Sequence, residues 1–463
     1  MSAAQPAVEV GAGREKPSAR RAVIPGLFVA APAVLFYGIL FRTLINLPLL
    51  DDYDAILGFL NRMAKVSGTG ARLRFFLAAQ HNEYKIFFEH GVAWAQYALI
   101  GHVNFAAISV LGDSAVAVLA LLLWSMFLRG EKDLAKRLAC FAPVSWLIFQ
   151  LEYYETLNWA MPSVENLWVI VFSLGAIRCL LLPPAKAYAA AIALYALAVS
   201  ALGNGFLLFP VGLSILARRR QMARAAGWLA ATAICIAAYA YRYDIHSSQA
   251  HPHGSVFATL LHIRPDYVIA FIGNAGAFAG TSILSRVASL ALGTALLLFF
   301  AWLLRRGYFR GNRCAGYCVL FLLLTAAGVA GLRSDFGLMQ SLVPRYTVYG
   351  LLLASFAWMA VVEEFLSKRT GPLLSSQAYV AGTAAAVILA LCMDEVGYLQ
   401  LARRRHEATQ GMAAYEHSAS AGSLDGPVLS FGRRDAVLDS LRTRARPILD
   451  ESIRLGIYEP PKY

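Results

Sequence analysis

The sequence predicts an all-α, polytopic membrane protein, and three observations support this fold class. Of the 463 residues, 58% are hydrophobic and 15% are charged, whereas soluble domains carry about 25% charged residues. The mean hydropathy is +0.55. Arginine and lysine residues cluster at the ends of long apolar segments, which is where positive charge sets membrane orientation. We therefore read the net charge of +13 as orienting the chain in a membrane, and we predict no nucleic-acid partner.

The N-terminal region is predicted to be cytoplasmic and to precede a membrane helix. Residues 1–21 are polar and rich in Ala, Pro and Gly, a composition typical of disordered segments. The basic pair Arg20-Arg21 comes directly before an apolar run that extends from Ala22 to about Leu47. Because that run is too long for a signal peptide and lacks a convincing cleavage site, it is predicted to stay as the first span.

Hydropathy predicts about eleven membrane crossings between residues 22 and 395, since one crossing needs about 20 apolar residues. A large first external loop, about residues 47–102, is predicted to contain short interfacial helices. Residues 86–101 and 267–282 are apolar yet interrupted, and each is predicted to lie in the interface or re-enter the bilayer. Residues 186–218 are too few for two full spans, which predicts a short or broken hairpin around Asn204.

A short helical tail, residues 396–463, is predicted to follow the last span on the outer side. Helix-like stretches occur at residues 435–442 and 448–455. The basic run Arg403-Arg404-Arg405 argues against an outer location, because basic residues concentrate on the cytoplasmic side.

An acidic pair opens the first external loop. Asp51 and Asp52 follow the first predicted span directly. A carboxylate at the membrane surface beside a cleft can act as a general base when burial tunes its pKa. The alternative is a helix N-cap for a helix that starts near Tyr53, because Asp is a preferred capping residue. With two adjacent aspartates, one can cap while the other stays available for chemistry.

A second polar segment lies later in the same loop and contains His81, Asn82, Glu83 and Lys85. On a helix, His81, Lys85 and Glu89 would share one face at i, i+4 spacing. Such a face could bind a phosphate through Lys85 and His81, or hydroxyl groups through Asn82 and Glu89. A solvated helix face is the alternative interpretation.

Further polar residues are predicted on the outer side. Glu152 and Glu155 are interleaved with aromatic residues; such rings are ordinarily interfacial anchors, but rings beside carboxylates also suit a sugar. Arg345, with Arg333 opposite, could clamp a lipid phosphate or pyrophosphate, whereas snorkelling to the interface is the alternative. These residues complete the candidate substrate-binding set.

No cofactor is indicated by the sequence. Three histidines, His246, His251 and His253, have loose metal-ligand spacing without a tight helical or cysteine-containing pattern. A divalent metal is therefore an open alternative. Walker, Rossmann and Gly-x-Ser-x-Gly motifs are absent from the sequence, which argues against a nucleotide-driven pump.

The cytoplasmic N-terminus, the single span and the acidic pair at the start of a large external loop resemble the GT-C superfamily of membrane glycosyltransferases. The resemblance implies a polyprenyl-phosphate-linked sugar as donor, a cell-envelope glycan or lipid as acceptor, and a location in a bacterial inner membrane among membrane lipids. It also implies that Asp51 or Asp52 is the catalytic base. Lys85 and Arg345 would then stabilise the charge that develops on the leaving phosphate.

Two other functions fit the same pattern. A transporter or flippase for a lipid-linked or anionic solute would place broken helices at Asn204 and Asn274 around a site near the bilayer midplane. A polysaccharide polymerase or ligase would use the same external loops and differ only in donor and acceptor.

Overall fold

The structure is a computed structural model that describes residues 19–244, 263–277, 282–366, 377–418 and 445–461. Within these ranges the protein is all-α, and the only β pairing consists of two isolated bridges. This confirms the predicted fold class. The three histidines of the candidate metal pattern and the predicted tail helix 435–442 lie outside the described residues.

Eight helices of the described chain are long and apolar enough to cross a membrane, so the protein is a multi-pass membrane protein, but the predicted number of eleven crossings is wrong. The eight helices are Arg21–Thr43 (α1), Phe105–Met126 (α2), Ala160–Leu180 (α3), Met222–Ala240 (α4), Ile283–Arg305 (α5), Arg313–Phe336 (α6), Pro344–Phe365 (α7) and Tyr379–Ala413 (α8).

The remaining three predicted crossings are shorter helices. Leu134–Ile148 has 15 residues and Ala185–Ala201 has 17 residues. The third, Gly203–Arg218, begins with a 3₁₀ turn at Gly203–Leu207. At about 1.5 Å per residue, 17 residues extend about 25 Å, which is less than the roughly 30 Å of a hydrocarbon core. The chain around Asn204 thus forms the short, broken hairpin that the sequence predicts.

Helix α3 lies at the centre of the bundle and its first turn is fixed by a close helix contact. A Cβ atom built on Gly112 of α2 would lie 2.0 Å from Ser163 Oγ, so only glycine allows this approach. Nearby, Asp113 Oδ2 accepts a hydrogen bond from the Asn158 N–H at 3.2 Å. These contacts hold the N-terminal part of α3, including Glu165, in the interior of the bundle.

The helices divide the molecule into two ends. The acidic end contains the end of α1, the starts of α2, α3 and α7, and the region between α1 and α2. That region folds into four short helices, Tyr53–Gly58, Phe59–Ala64, Thr69–Ala78 and Phe87–Ile100. The opposite, basic end contains the end of α2, the end of α3, the start of α6 and the end of α7.

The C-terminal region continues from the last span without a break. One helix runs from Gln377 to Ser418 and crosses residue 396, the predicted boundary between the membrane domain and the tail. The later helix 445–454 packs on the acidic end. There Asn61 Nδ2 donates to the Ile448 carbonyl at 3.0 Å, and Ser452 Oγ donates to Asn61 Oδ1 at 2.9 Å.

Candidate functional site

Four carboxyl groups gather at the acidic end, and they come from three separate parts of the chain. Asp51 and Asp52 precede the π-helical turn Tyr53–Gly58, Glu89 lies in the helix Phe87–Ile100, and Glu165 lies in a second π-helical turn, within α3. Asp52, Glu89 and Glu165 are buried, whereas Asp51 is exposed. Burial raises the pKa of Glu89, and the charges of the other three carboxyl groups raise it further. Short π-helical turns of this kind occur frequently at functional sites.

Asp52 holds two segments together. Its Oδ2 accepts the Leu49 N–H at 2.9 Å and its Oδ1 accepts the Met161 N–H at 3.0 Å. Because Met161 is in the first turn of α3, the carboxylate satisfies one of the free N–H groups at that helix N-terminus. The predicted capping role thus applies to another helix, since no side-chain cap bond forms on the helix starting at Tyr53. Burial raises the pKa of Asp52 to about 8, against the two backbone hydrogen bonds.

Asp51 differs from its neighbour in exposure and in bonding. Its side chain is exposed, and its carboxylate accepts no hydrogen bond from the described part of the chain. Its charge acts on Glu89 and on Arg345. Of the two aspartates, Asp51 therefore has the accessible carboxylate beside the buried acidic groups.

Glu89 and Glu165 form a buried carboxyl pair. Glu89 is 1% exposed and Glu165 is 5% exposed. No N–H or hydroxyl group of the described residues donates to either oxygen of Glu89 or to Glu165 Oε1. Burial raises the pKa of Glu89 well above its usual range, and the charge of the neighbouring Glu165 raises it further. The pair is therefore a buried site with acceptor oxygens for which the described residues supply no donor.

His90 follows Glu89 in the helix Phe87–Ile100 and is also buried. Its ring stacks on Phe59, with the ring centroids 4.0 Å apart and the planes within 5°. Burial lowers the pKa of His90 to about 3, and His81 and Arg62 lower it further by their charges. The imidazole is therefore neutral at pH 7 and cannot neutralise Glu89.

Two arginines bring positive charge to the acidic end. Arg345 Nε lies 3.3 Å from Glu155 Oε2. Arg404, in α8, is buried and donates to the carbonyls of Leu157 and Tyr154, each at 2.9 Å. Burial raises the pKa of Glu155, and the charges of both arginines oppose that rise. One residue of the basic run Arg403-Arg404-Arg405 is thus buried and bonds to the backbone of the acidic end.

The predicted helix face of His81, Lys85 and Glu89 is wrong. Residues 80–86 form a turn in which His81 and Tyr84 exchange two backbone hydrogen bonds, both 2.9 Å. Asn82 has a φ of +46°, which a helix does not allow, and the next helix begins only at Phe87. The three side chains therefore do not share a helix face.

Lys85 is part of the fold and does not face a ligand. Its side chain is 0% exposed, and Nζ donates to the carbonyls of Leu77, Ala78 and Tyr241 at 2.9 to 3.0 Å. All three N–H bonds of the ammonium group are used. Burial lowers the pKa of Lys85 to about 8. The phosphate-binding role suggested by the sequence is not compatible with these contacts.

The other predicted residues have partners outside the four carboxyl groups. Glu83 pairs with Arg333, which also donates to the Tyr84 hydroxyl at 2.7 Å. His81 Nε2 lies 3.1 Å from Asn82 Nδ2. Glu152 is buried, and its N–H donates to Gln150 Oε1 at 2.7 Å. The Arg333 ion pair ties the turn 80–86 to the end of α6.

Sequence reasoning missed Glu165, His90 and Arg404. Glu165 carried a usable signal, because an acidic residue inside an apolar span is by default a candidate functional residue. His90 follows Glu89 directly, but its stacking on Phe59 depends on the fold. Within the described ranges, no group of three or more His, Cys, Asp and Glu side chains is arranged to hold a metal ion.

Comparisons with known proteins were made for the whole chain. No protein-family model, curated protein or solved structure matches it.

Raising the pH from 6.5 to 8 is expected to lower the unfolding temperature of the protein. In this range the unfolded carboxyl groups are ionised, whereas folded Asp52 and Glu89 retain protons because their pKa values are raised. Each such group lowers the free energy of unfolding by up to about 1.4 kcal/mol per pH unit. The lowered pKa values of His90 and Lys85 act outside this window, below about pH 6.5 and above about pH 8 respectively.

Thermal unfolding in detergent at three pH values checks this expectation. The Glu89→Gln variant should show a smaller slope of unfolding temperature against pH, because its amide does not titrate. An unfolding temperature that rises between pH 6.5 and 8 in the unmodified protein would contradict the assignment of retained protons.

Proposed function

We propose that the protein is a membrane glycosyltransferase that uses a polyprenyl-phosphate-linked sugar and acts at the acidic end. The observation that carries the proposal is the buried pair Glu89 and Glu165, next to the accessible carboxylate of Asp51. Three of the four oxygens of this pair accept no hydrogen bond from the described residues. Buried acceptors need donors. A sugar offers several hydroxyl donors at once, and one more hydroxyl group, that of the acceptor, would lie beside Asp51.

The proposed reaction assigns one role to each group. Asp51 takes the proton from the acceptor hydroxyl, whose oxygen forms a bond to the anomeric carbon on the face opposite the leaving group. The bond between that carbon and the phosphate oxygen breaks, and the polyprenyl phosphate leaves with the electron pair. The charge of Asp51 acts on Arg345, and in this proposal Arg345 stabilises the charge that develops on the phosphate. Asp52 positions Asp51 by fixing the chain between Leu49 and the start of α3.

The proposal puts the acidic end on the outer side of a bacterial inner membrane. The segments that connect helices at the basic end contain runs such as Arg218-Arg219-Arg220, and such runs are retained in the cytoplasm. A cell-envelope glycan or lipid would then be the acceptor. A polymerase or ligase that joins larger glycans would use the same groups and differ in donor and acceptor size.

A transporter has less support than an enzyme. Asn274, one of its two candidate site residues, uses its side chain within the protein. Its Nδ2 donates to the carbonyls of Ser341 and Val343 at 2.9 and 3.1 Å, and its Oδ1 accepts from Thr347 at 3.2 Å. Both N–H bonds of this amide are used within the protein, so the Asn274 side chain has no hydrogen-bond donor left for a solute.

Replacing Asp51 with asparagine is expected to reduce sugar transfer at least about 100-fold, the usual contribution of a general base. The measurement compares lipid-linked intermediates and glycans in a deletion strain complemented with each variant at equal protein level. Asp54→Asn is the matched control, since Asp54 lies in the turn Tyr53–Gly58 just after Asp51 but its charge acts on Arg62. Full transfer by Asp51→Asn, with the control also active, would rule out the proposed base.

A further inference from the structure

The basic end contains a cavity of about 620 Å³ that collects arginines from five chain segments. The positive-inside rule explains why arginines occur at this end. It does not require them to line one cavity. The cavity is lined by Arg129, Arg178, Arg219, Arg306 and Arg313, together with Glu363, Glu364, Tyr308 and Asn312.

Five arginines and two glutamates, Glu363 and Glu364, line this cavity, so its positive charges outnumber its negative charges. Among the ion pairs of the described ranges, none includes any of the five arginines. Glu363 is occupied by other groups. Its Oε1 accepts the Leu128 N–H at 3.1 Å, and its Oε2 accepts from the Tyr308 hydroxyl at 2.7 Å and from Asn312 Nδ2 at 2.8 Å. The five arginines therefore form an anion-attracting cluster.

Two of the arginines are fixed in place before any ligand arrives. Arg219 Nη1 donates to the Leu180 carbonyl at 2.7 Å. The Arg306 guanidinium lies 4.8 Å from the Trp302 ring centroid. Fixing the side chains in advance lowers the entropy cost of binding. The cavity also adjoins the π-helical turn Val362–Leu366, a kind of turn that often marks functional sites.

An apolar groove of about 1090 Å³ opens beside the cavity and shares lining residues with it. Leu181, Arg219 and Arg313 line both spaces. The groove is otherwise mainly apolar and lies between α5, α6 and the helix Leu208–Arg218. Its apolar side chains include Leu297, Phe300, Leu304, Leu320 and Leu323. A ligand that fills both spaces must therefore combine an anionic head with a long apolar chain.

We propose that the basic end binds a lipid phosphate, with the phosphate among the five arginines and the hydrocarbon chain in the groove. Arginine suits this ligand because its planar guanidinium group donates two parallel hydrogen bonds to phosphate oxygens. Basic pockets between spans are known to bind phosphate head groups. This site is distinct from the acidic end, and its occupation does not depend on the proposed sugar transfer.

The test measures lipid binding to the purified full-length protein. Nanodiscs of phosphatidylcholine receive increasing amounts of phosphatidylglycerol, and bound lipid is counted by native mass spectrometry. Farnesyl phosphate and inorganic phosphate serve as competitors. The double variant Arg178→Gln/Arg313→Gln is expected to bind phosphatidylglycerol at least about tenfold more weakly, since one lost charge-assisted hydrogen bond accounts for that factor.

The matched control is Arg305→Gln/Lys132→Gln, which removes the same charge at the same end without touching either space. Equal binding by the double variant and this control would overturn the proposal.

Competition on the unmodified protein gives an independent test. Displacement by farnesyl phosphate but not by inorganic phosphate supports a lipid with a chain in the groove. Equal displacement by inorganic phosphate would show an anion site alone and overturn the lipid assignment.

Discussion

Replacing Arg404 with methionine is expected to destabilise the protein by about 3–5 kcal/mol, the usual cost of removing one partner from a buried charge cluster. The methionine fills similar volume but removes the positive charge that acts on Glu155, Asp113 and Asp52. It also leaves the carbonyls of Leu157 and Tyr154 without their donor. Both effects act at the start of α3, where the acidic groups are assembled.

Thermal unfolding in detergent measures this loss, and the neighbouring arginine provides the control. Arg403 is exposed and pairs with Glu407 one turn further along the helix, with an Nε–Oε1 distance of 2.6 Å. Such surface pairs contribute little to stability, so Arg403→Met should unfold at nearly the temperature of the unmodified protein. Similar unfolding temperatures for the two variants would mean that Arg404 contributes no more to stability than the exposed Arg403.

Hydropathy and charge were sufficient to predict the class of fold but not the number of spans. The helix Ala185–Ala201 is apolar over most of its length and yet has only 17 residues. Hydropathy averaged over a window of residues counts such a helix as a crossing. It does not show where tertiary contacts end the helix, and this sets the helix length. Around Asn204 the local signal was clear, since glycine on both sides predicts a break.

The candidate site could be predicted only in part, because its members meet through tertiary structure. Asp51 and Asp52 were recognisable as an acidic pair, but which of them is buried depends on the contact of Asp52 with Met161. Glu89 lay in a predicted polar segment, whereas its partner Glu165 lies in a different span. The distinction between Arg404 and Arg403 depends on which side of α8 faces the bundle, and three consecutive arginines give no sign of it.

Replacing Lys85 with methionine is expected to lower the free energy of unfolding by at least about 3 kcal/mol, because each buried group left without a partner costs about 1–3 kcal/mol. Lys85 serves the C-terminal ends of two helices. Leu77 and Ala78 belong to the last turn of Thr69–Ala78, and Tyr241 directly follows α4. Carbonyls at helix C-termini have no partner within their own helix, and a cation is the favoured group there.

The matched control is Lys65→Met, since Lys65 is exposed and forms only a surface pair with Glu451, at 3.0 Å. Its effect should stay below about 1 kcal/mol. Hydrogen exchange gives a second measurement. In Lys85→Met, the amides of Thr69–Ala78 should exchange faster than in the control, because that helix loses its tie to α4. Unchanged exchange in this helix, together with unchanged unfolding, would contradict a structural role and return Lys85 to the list of candidate phosphate-binding residues.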